Sequence, residues 1–282
     1  MSDPAVRFDA ATLEYHGRRI WADMSLAFEA GSFVAILGPN GSGKTSLLRT
    51  ILGLAPLRSG DVQVLGHAPR RGDPGIGYVP QHQSLDADLP LRGRDLVQLG
   101  IDGHRWGIGW PSAASRHRVE AAIQAVGAEP FADAPIGRLS GGEQQRLRIA
   151  QALVGDPRLL LCDEPLASLD LRYQQGITDL IGGWQRGGER TVLFVTHDVN
   201  PVLALVDQVL FVVNGRWAMG TPDEVLTSER MTALYGSHVD VLRVHGRILV
   251  VGESSGSGFE VEEPHHLPTI PDDDRHPDRA TA

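Results

Sequence analysis

Residues 33–45 read FVAILGPNGSGKT, and this stretch decides the fold. The last eight residues fit the P-loop pattern G-x-x-x-x-G-K-[ST]. The five apolar residues 33–37 predict a buried strand that leads into the loop. Leu47, Leu48, Ile51 and Leu52 follow at helical spacing and predict a helix. Strand, glycine-rich loop and helix in this order are the arrangement that holds a polyphosphate.

The residue types in the loop suit the chemistry of a triphosphate. Gly38, Gly41 and Gly43 let the backbone turn tightly and present its amides. Lys44 is expected to reach the β- and γ-phosphates, and the Thr45 hydroxyl is expected to bind Mg²⁺. The alternative is a glycine-rich turn that merely contains a lysine, but the flanking strand and helix argue against it.

Composition limits the class of protein. The chain has 282 residues, of which 41% are hydrophobic, enough for one large α/β domain or a domain with a small appendage. Its single cysteine, Cys162, excludes an internal disulfide, fits a reducing cytoplasm and reads as small core filler. No apolar run approaches the roughly 20 residues that span a bilayer, and the N-terminus does not resemble a signal peptide. In a membrane process we therefore expect a peripheral subunit.

The acidic charge is concentrated at the C-terminus. Residues 253–282 contain eight acidic and two basic residues, which account for −6 of the formal net charge of −9. This segment is rich in Ser, Gly, Pro and His, and we predict a disordered tail that includes His265, His266 and His276. The nearly balanced remainder argues against a general nucleic-acid-binding surface.

Apolar patterning predicts the order of the elements. Strands are expected within 6–37, 61–81, 159–162 and 192–195, and helices from about 91 to 155. Later strands at 208–213 and 247–251 are expected at sheet edges or in a hairpin. The prediction is an α/β P-loop core with a mixed, mainly parallel sheet, an antiparallel β lobe and a helical lobe. The expected domain covers 5–252, with the helical lobe at about 88–155.

Asp163 and Glu164 follow the apolar strand at 159–162. A carboxylate is costly to bury there unless a cation meets it, and Mg²⁺ shared with Thr45 would supply that cation. The alternative for Asp163 is a helix N-cap. Glu164 is expected to polarise the attacking water as a general base, against the alternative of an ordinary loop carboxylate.

Residues 139–144 read LSGGEQ and open a predicted helix. Ser140, Gly141 and Gly142 could form an anion-binding nest at the helix N-terminus. Ser140 and Glu143 also have the spacing of a capping box, and both interpretations can hold together.

The order of glycine loop, Gln81, LSGGEQ, Asp163-Glu164 and His197 resembles the nucleotide-binding subunit of ATP-binding-cassette transporters. The resemblance covers roughly residues 5–250. It implies a homodimer that forms with nucleotide, in which each ATP lies between one subunit's P-loop and the other's LSGGEQ helix. Ser140 and Gly142 would then contact the γ-phosphate in trans.

The same resemblance implies the remaining roles. Tyr15 would stack on adenine, although Phe8 and Trp21 are nearby competitors. Gln81 would sense Mg²⁺ and water, His197 would hold the γ-phosphate, and Asp170 would lie in a loop that crosses the dimer interface or simply cap the next helix. The catalytic set is therefore Lys44, Gln81, Glu164 and His197, and the Mg²⁺ set is Thr45, Gln81 and Asp163. The full nucleotide-binding set is Tyr15, Gly38, Pro39, Asn40, Gly41, Ser42, Gly43, Lys44, Thr45, Ser46, Ser140, Gly141, Gly142, Gln144 and Asp170.

Residues 82–91 and the segments 196–201 and 234–236 resemble importers of zinc, manganese or iron(II). The resemblance implies an ATPase at the cytoplasmic face of the membrane that works with permease subunits and, indirectly, a metal-binding extracytoplasmic protein. Two alternatives stay open, an exporter or importer of another substrate and a soluble ABC ATPase. The soluble class carries long coiled-coil insertions, whereas only residues 46–138 separate the loop from LSGGEQ, and prolines interrupt them.

Overall fold

The computed structural model describes residues 3–15, 17–81, 91–103, 112–167, 169–186 and 189–252. Its strands are β1 Val6–Tyr15, β2 Arg18–Phe28, β3 Phe33–Leu37, β4 Ser59–Val64, β5 Ile76–Val79, β6 Leu159–Asp163, β7 Thr191–Val195, β8 Gln208–Val213, β9 Arg216–Gly220, β10 Val239–Val244 and β11 Arg247–Gly252. Its α-helices are α1 Lys44–Ile51, α2 Gly93–Asp102, α3 Ala113–Ala125, α4 Gly141–Leu153, α5 Leu171–Arg186, α6 Pro222–Val225 and α7 Ser228–Tyr235.

A six-stranded sheet forms the centre of the fold, in the order β5-β6-β7-β3-β8-β9. The pairs from β5 to β8 are parallel, and β9 pairs antiparallel with β8. Every residue of β3, β6 and β7 is buried, as expected for strands covered on both faces. The predicted strands at 33–37, 159–162 and 192–195 are therefore confirmed, and so is the predicted mixed, mainly parallel sheet.

The antiparallel β lobe is a three-stranded sheet in the order β2-β1-β4. Its core holds Phe8, with Trp21 and Phe28 edge-on to it at centroid distances of 6.0 and 6.5 Å. The same apolar cluster includes Leu48 of α1 and Ile36 of β3. Helix α1 therefore packs between this lobe and one face of the central sheet.

The helical lobe consists of α2, α3 and α4 and covers the other face of the sheet. Its buried residues share one cluster with Phe33 of β3 and Phe194 of β7, whose rings are 5.7 Å apart. Within the predicted helical region 91–155, α3 buries Val119 and Ile123, and α4 buries Leu147 and Ala150. This burial confirms the helical pattern inferred from the sequence.

The C-terminal strands differ in part from the prediction. Strand β8 lies inside the sheet between β3 and β9, so the predicted position at a sheet edge is wrong for this strand. It does form a hairpin, whose partner β9 was not predicted from the sequence. Strand β11 forms a separate two-stranded hairpin with β10. The antiparallel partner β9 occupies the edge and leaves β8 buried from Val209 to Val213.

Some predictions fall outside the described residues, namely those for the tail at 253–282 and for most of the segment 82–91. The limits of the domain and of the helical lobe stay predictions. Across the described ranges, none of the helices has the length and apolar character needed to cross a membrane.

Removing a buried side chain from the middle of the sheet tests this packing. Leu193→Ala in β7 is expected to lower the free energy of unfolding by about 2–5 kcal/mol, because the cavity lies between two covered faces. Urea titration would measure the change. Leu171→Ala is the control, since that side chain is 78% exposed and should change stability by no more than about 0.5 kcal/mol. Equal losses for the two variants would contradict the assigned core.

Candidate functional site

The P-loop connects the carboxyl end of β3 to the start of α1. Gly38, Gly41 and Gly43 have φ values of 144°, 77° and 100°, which favour glycine. A Cβ at Gly38 would lie 2.0 Å from the Val212 carbonyl oxygen, and one at Gly43 would lie 2.4 Å from Ile20 Cγ2. Conformation and space therefore both require glycine at the two ends of the loop.

Lys44 lies within the curve of this loop. Its Nζ donates to the carbonyl oxygens of Gly38 and Pro39 at 2.6 and 2.9 Å. Burial lowers the pKa of the Lys44 ammonium, against the opposing effect of Glu164 and Asp163, which are both acidic. The ammonium is thus already positioned where the loop would surround an anion.

Ser42 has a polar atom with no partner. Its Oγ is buried and lacks a hydrogen-bond partner among the described residues. A buried hydroxyl without a partner is costly, and a ligand oxygen at the loop would relieve that cost. The loop therefore fits a phosphate-bearing ligand.

Asp163 ends β6 beneath the loop and is only 2% exposed. Thr45 Oγ1 donates to Asp163 Oδ1 at 3.1 Å, and Tyr78 Oη donates to Asp163 Oδ2 at 3.4 Å. Burial raises the pKa of the Asp163 carboxyl, although the hydrogen bonds from Thr45 and Tyr78 lower it. A cation next to Thr45 and Asp163 would stabilise the charged form, and hydroxyl and carboxylate oxygens are ligands that Mg²⁺ accepts.

Glu164 follows with a left-handed backbone, φ 47°, while its N–H donates to the Val195 carbonyl oxygen at 3.0 Å. Its Oε2 accepts from Gln81 Nε2 at 3.4 Å and lies 3.9 Å from His197 Nδ1. Strained backbone of this kind occurs at functional sites. The structure therefore brings three of the four predicted catalytic residues together around one carboxylate oxygen.

Two adjoining pockets, of about 490 and 330 Å³, lie along the P-loop. They share Ile20, Asn40 and Gly41, so together they form one groove. The first is also lined by Arg18, Arg19, Pro39, Ser42, Asn214 and Gly215, and the second by Gly43, Lys44, Thr45, Ser46, Gln81 and Glu164. Predicted residues from the loop and the catalytic group therefore face one groove, and residues 139–144 do not line it.

Ser140 caps α4, away from that groove. Its Oγ accepts from the Glu143 N–H at 3.4 Å, and its own N–H donates to Glu143 Oε2 at 2.8 Å. The capping box is therefore confirmed. Gly142 packs against the Tyr173 ring, since a Cβ there would lie 2.5 Å from Tyr173 Cδ1. Helices α4 and α5 thus meet at this glycine.

Three other predicted residues do not line the groove. Gln144 is buried, and its Nε2 donates to the carbonyl oxygens of Ile136 and Leu139 at 3.0 and 3.1 Å, so its side chain is engaged in its own lobe. Asp170 Oδ1 accepts from the Tyr173 N–H at 3.0 Å and caps α5. Tyr15 is half-buried opposite Arg18 in the β1–β2 register, and its stacking on adenine stays a prediction.

Several residues at the site were not selected from the sequence. Ile20 packs on Gly43, and Tyr78 contacts Asp163. The others line the groove, namely Arg18, Arg19, Asn214 and Gly215. Tyr78 belongs to the predicted strand 76–79, and its position next to Asp163 follows only from the pairing of β5 with β6. The alternation in β2 offers no signal that Ile20 would meet the P-loop.

Comparison with known proteins gives consistent matches. A family profile described as ABC transporter matches residues 21–167. The manganese transport system ATP-binding protein MntB of Bacillus subtilis is 35% identical over 238 residues, which cover 84% of this chain and 95% of that protein. The chain belongs to the ABC transporter family.

Further relatives agree with this membership. The zinc transport system ATP-binding protein TroB of Treponema pallidum is 36% identical, with 83% of this chain and 88% of that protein covered. A solved transporter assigned to the metal-chelate ABC type, in an inward-facing conformation, aligns with a TM-score of 0.75 at 25% identity. That alignment covers 88% of this chain and 96% of the solved one. Membership in the family implies nucleotide binding and ATPase activity.

Adding one methyl group to the loop tests its fit. Gly43→Ala places a Cβ against Ile20 at a left-handed φ, so nucleotide affinity should fall at least tenfold, about 1.4 kcal/mol. Gly66→Ala is the control, because its φ of 84° is similar but its Cβ would meet open space. The control should lose about 1–2 kcal/mol of stability and bind ATP normally. Calorimetric ATP titration separates the two, and normal binding by Gly43→Ala would contradict the assigned geometry.

Neutralising the buried carboxylate tests its electrostatics. A carboxyl whose pKa is raised by folding destabilises the folded state above that pKa, and this cost disappears as pH falls below the ordinary value. Asp163→Asn should therefore raise the melting temperature of the ligand-free protein by about 2–4 °C at pH 8, which corresponds to roughly 1 kcal/mol of stability. The increase should be smaller at pH 5. Scanning calorimetry at both pH values checks this, and a lower melting temperature at pH 8 would contradict it.

Proposed function

We propose that this chain is the ATP-hydrolysing subunit of an ABC transporter that powers import of a divalent transition metal, zinc or manganese. The observation that carries hydrolysis is the position of Glu164 Oε2, between Gln81 Nε2 and His197 Nδ1 and next to the buried Asp163–Thr45 pair. Glu164 and Gln81 line one end of the P-loop groove, and the His197 imidazole lies next to Glu164.

The loop residues bind and orient the triphosphate. Loop amides at the N-terminus of α1, the Ser42 hydroxyl and the Lys44 ammonium are the donors for the phosphate oxygens. Lys44 must exchange its bonds to the Gly38 and Pro39 carbonyl oxygens for phosphate oxygens. Asn40 and Ser46 also line the groove and complete the binding set on this side.

Thr45, Asp163 and Gln81 are the residues that would hold Mg²⁺. The donor set fits, because Mg²⁺ takes one or two protein oxygens and completes its shell with phosphate and water. When bound, the ion neutralises charge that develops on the phosphate oxygens. Its charge would also offset the cost of the buried Asp163 carboxylate.

Glu164 is the general base in this proposal. Its carboxylate would accept a proton from the attacking water, and the Gln81 amide would hydrogen-bond to the same water and orient it. His197 lies within reach of Glu164 and would hold the γ-phosphate. In this proposal Gln81 positions the water and His197 positions the γ-phosphate.

A second copy of the chain completes the site. By the resemblance to ATP-binding-cassette subunits, Ser140 and Gly142 would contact the γ-phosphate of the ATP bound at the partner's P-loop, with Gly141 beside them. This assignment agrees with their absence from the lining of their own chain's groove. The buried Gln144 side chain would support the segment 139–142 that contacts the partner's ATP. Asp170, at the start of α5, would lie at the interface between the two copies. Tyr15 would stack on the adenine.

Membrane permease subunits would receive the motion of this dimer, at the cytoplasmic face of the membrane. A metal-binding extracytoplasmic protein would deliver the cargo to them. The manganese and zinc relatives MntB and TroB support this cargo. Among the described residues no group of three or more His, Cys, Asp or Glu could hold a metal. In this proposal the metal is the cargo of the permease. An exporter or an importer of another substrate is the alternative.

Removing the base tests the catalytic assignment. Glu164→Gln keeps the hydrogen-bonding shape but cannot accept a proton, so turnover should fall at least 100-fold, within the usual contribution of a general base. The variant should retain Mg-ATP and accumulate as a dimer. Phosphate release and light scattering measure the two effects. Wild-type turnover in Glu164→Gln would remove this residue from the mechanism.

Uptake measurements test the cargo. A strain that lacks this gene is complemented with the wild type or with Glu164→Gln, and accumulation of radioactive zinc and manganese is followed. We expect wild-type complementation to restore uptake of at least one of the two metals and Glu164→Gln to fail. Unimpaired uptake of both metals in the deletion strain would overturn the proposed cargo while leaving the ATPase assignment intact.

A further inference from the structure

The β10–β11 hairpin exposes an apolar surface. Its register pairs Asp240 with Val251, Leu242 with Leu249 and Val244 with Arg247, so these six side chains share one face, here called the outer face. Leu242, Val244, Leu249 and Val251 are each 45–52% exposed. Few soluble chains leave such a cluster uncovered without an interaction partner.

The opposite face of the hairpin is anchored to the domain. Val239 and Ile248 are buried, and the Val239 N–H donates to Thr232 Oγ1 at 3.0 Å. The Val241 N–H donates to Ser228 Oγ at 2.9 Å. Helix α7 therefore holds the hairpin in place, and the outer face is a preformed surface.

Asn200 connects the hairpin to the catalytic edge of the sheet. Its Nδ2 donates to the Ile248 carbonyl oxygen at 2.9 Å, and its Oδ1 accepts from the Ile248 N–H at 2.8 Å. Asn200 lies three residues after His197 and is tied back to Asp198 Oδ1 at 2.7 Å. The hairpin thus adjoins the edge of the molecule that a second copy covers in the proposed function.

The outer face is complementary to itself. Asp240 lies at the open end of the hairpin and Arg247 at the turn end, with Leu242 and Leu249 between them. A two-fold axis through the leucine pair would place the Asp240 end of each copy against the Arg247 end of the other. Such an isologous contact buries four apolar side chains from each copy and pairs opposite charges at both ends.

We propose that the outer face of the β10–β11 hairpin docks on the same face of a second copy and forms a second contact in the nucleotide-bound dimer. This contact rests on the proposed function, because the shared nucleotide site brings the two copies together. It adds apolar area next to the His197 loop, so the dimer is tighter than the nucleotide contacts alone would make it.

Cysteine cross-linking tests the contact. The native Cys162 is fully buried, so Leu249→Cys supplies a reactive thiol near the expected two-fold axis. Leu99→Cys on α2 is the matched control, because the two leucines are 46% and 47% exposed. Both are made in the full-length Glu164→Gln chain and treated with a short bis-maleimide, with and without Mg-ATP. We expect Mg-ATP to raise covalent dimers of Leu249→Cys at least fivefold and to leave Leu99→Cys unchanged.

Substitution with a charge gives a second readout. Leu249→Asp should weaken the Mg-ATP dimer of Glu164→Gln at least tenfold by sedimentation, because two carboxylates would meet across the axis. Leu99→Asp is again the control and should leave dimer affinity unchanged. Equal affinities for both variants would overturn the proposed contact.

The outcomes separate this contact from the shared nucleotide site. A Mg-ATP dimer without Leu249→Cys cross-links overturns the hairpin contact and leaves the nucleotide site standing. Absence of any Mg-ATP dimer counts against the shared site and removes the basis of the contact. If monofunctional maleimide labels Leu249→Cys only after residues 253–282 are deleted, the tail covers the outer face and the proposal is wrong.

Discussion

The hydrogen bond from Thr45 to the buried Asp163 carboxylate is the interaction on which the site depends. It joins the end of β6 to the start of α1 across the intervening strand β7, so it forms only if the three strands keep their parallel register. The carboxylate is costly where it lies, as its raised pKa indicates. A fold that keeps this charge buried is organised to receive a cation at that position.

The parallel sheet explains why the catalytic groups converge. Strands β5, β6, β7 and β3 are consecutive neighbours, and their carboxyl ends lie at one edge of the sheet. Gln81, Glu164, His197 and the P-loop follow these four strands in turn. Residues separated by more than 100 positions in the chain therefore meet, and the strained backbone of Glu164 is held between β6 and β7 by its bond to Val195.

The sequence was sufficient for the core strands and for the P-loop residues of the groove, because glycine spacing and apolar runs follow directly from what the backbone requires. It did not identify Arg18, Arg19, Asn214 or Gly215, which also line the groove. The sequence was insufficient where the position of a strand or side chain depends on which strands pair with each other. Strand β8 was expected at an edge or in a hairpin, and only the later strand β9 explains its burial. Tyr78 and Ile20 reach the site through contacts between strands and lobes that no local pattern encodes. Gln144 was predicted to bind nucleotide with the rest of LSGGEQ, yet its amide is buried and supports its own loop.

In the proposed dimer, each nucleotide is held by two copies of this chain. A mixture of two defective variants tests this arrangement, both in the Glu164→Gln background, with Lys44→Ala in one copy and Ser140→Arg in the other. Only the mixed dimer then has an intact P-loop facing an intact LSGGEQ helix. We expect that neither variant alone retains ATP through rapid gel filtration and that the mixture forms dimers with one ATP each. If the mixture retains no more ATP than its separate components, the nucleotide is not shared between two copies.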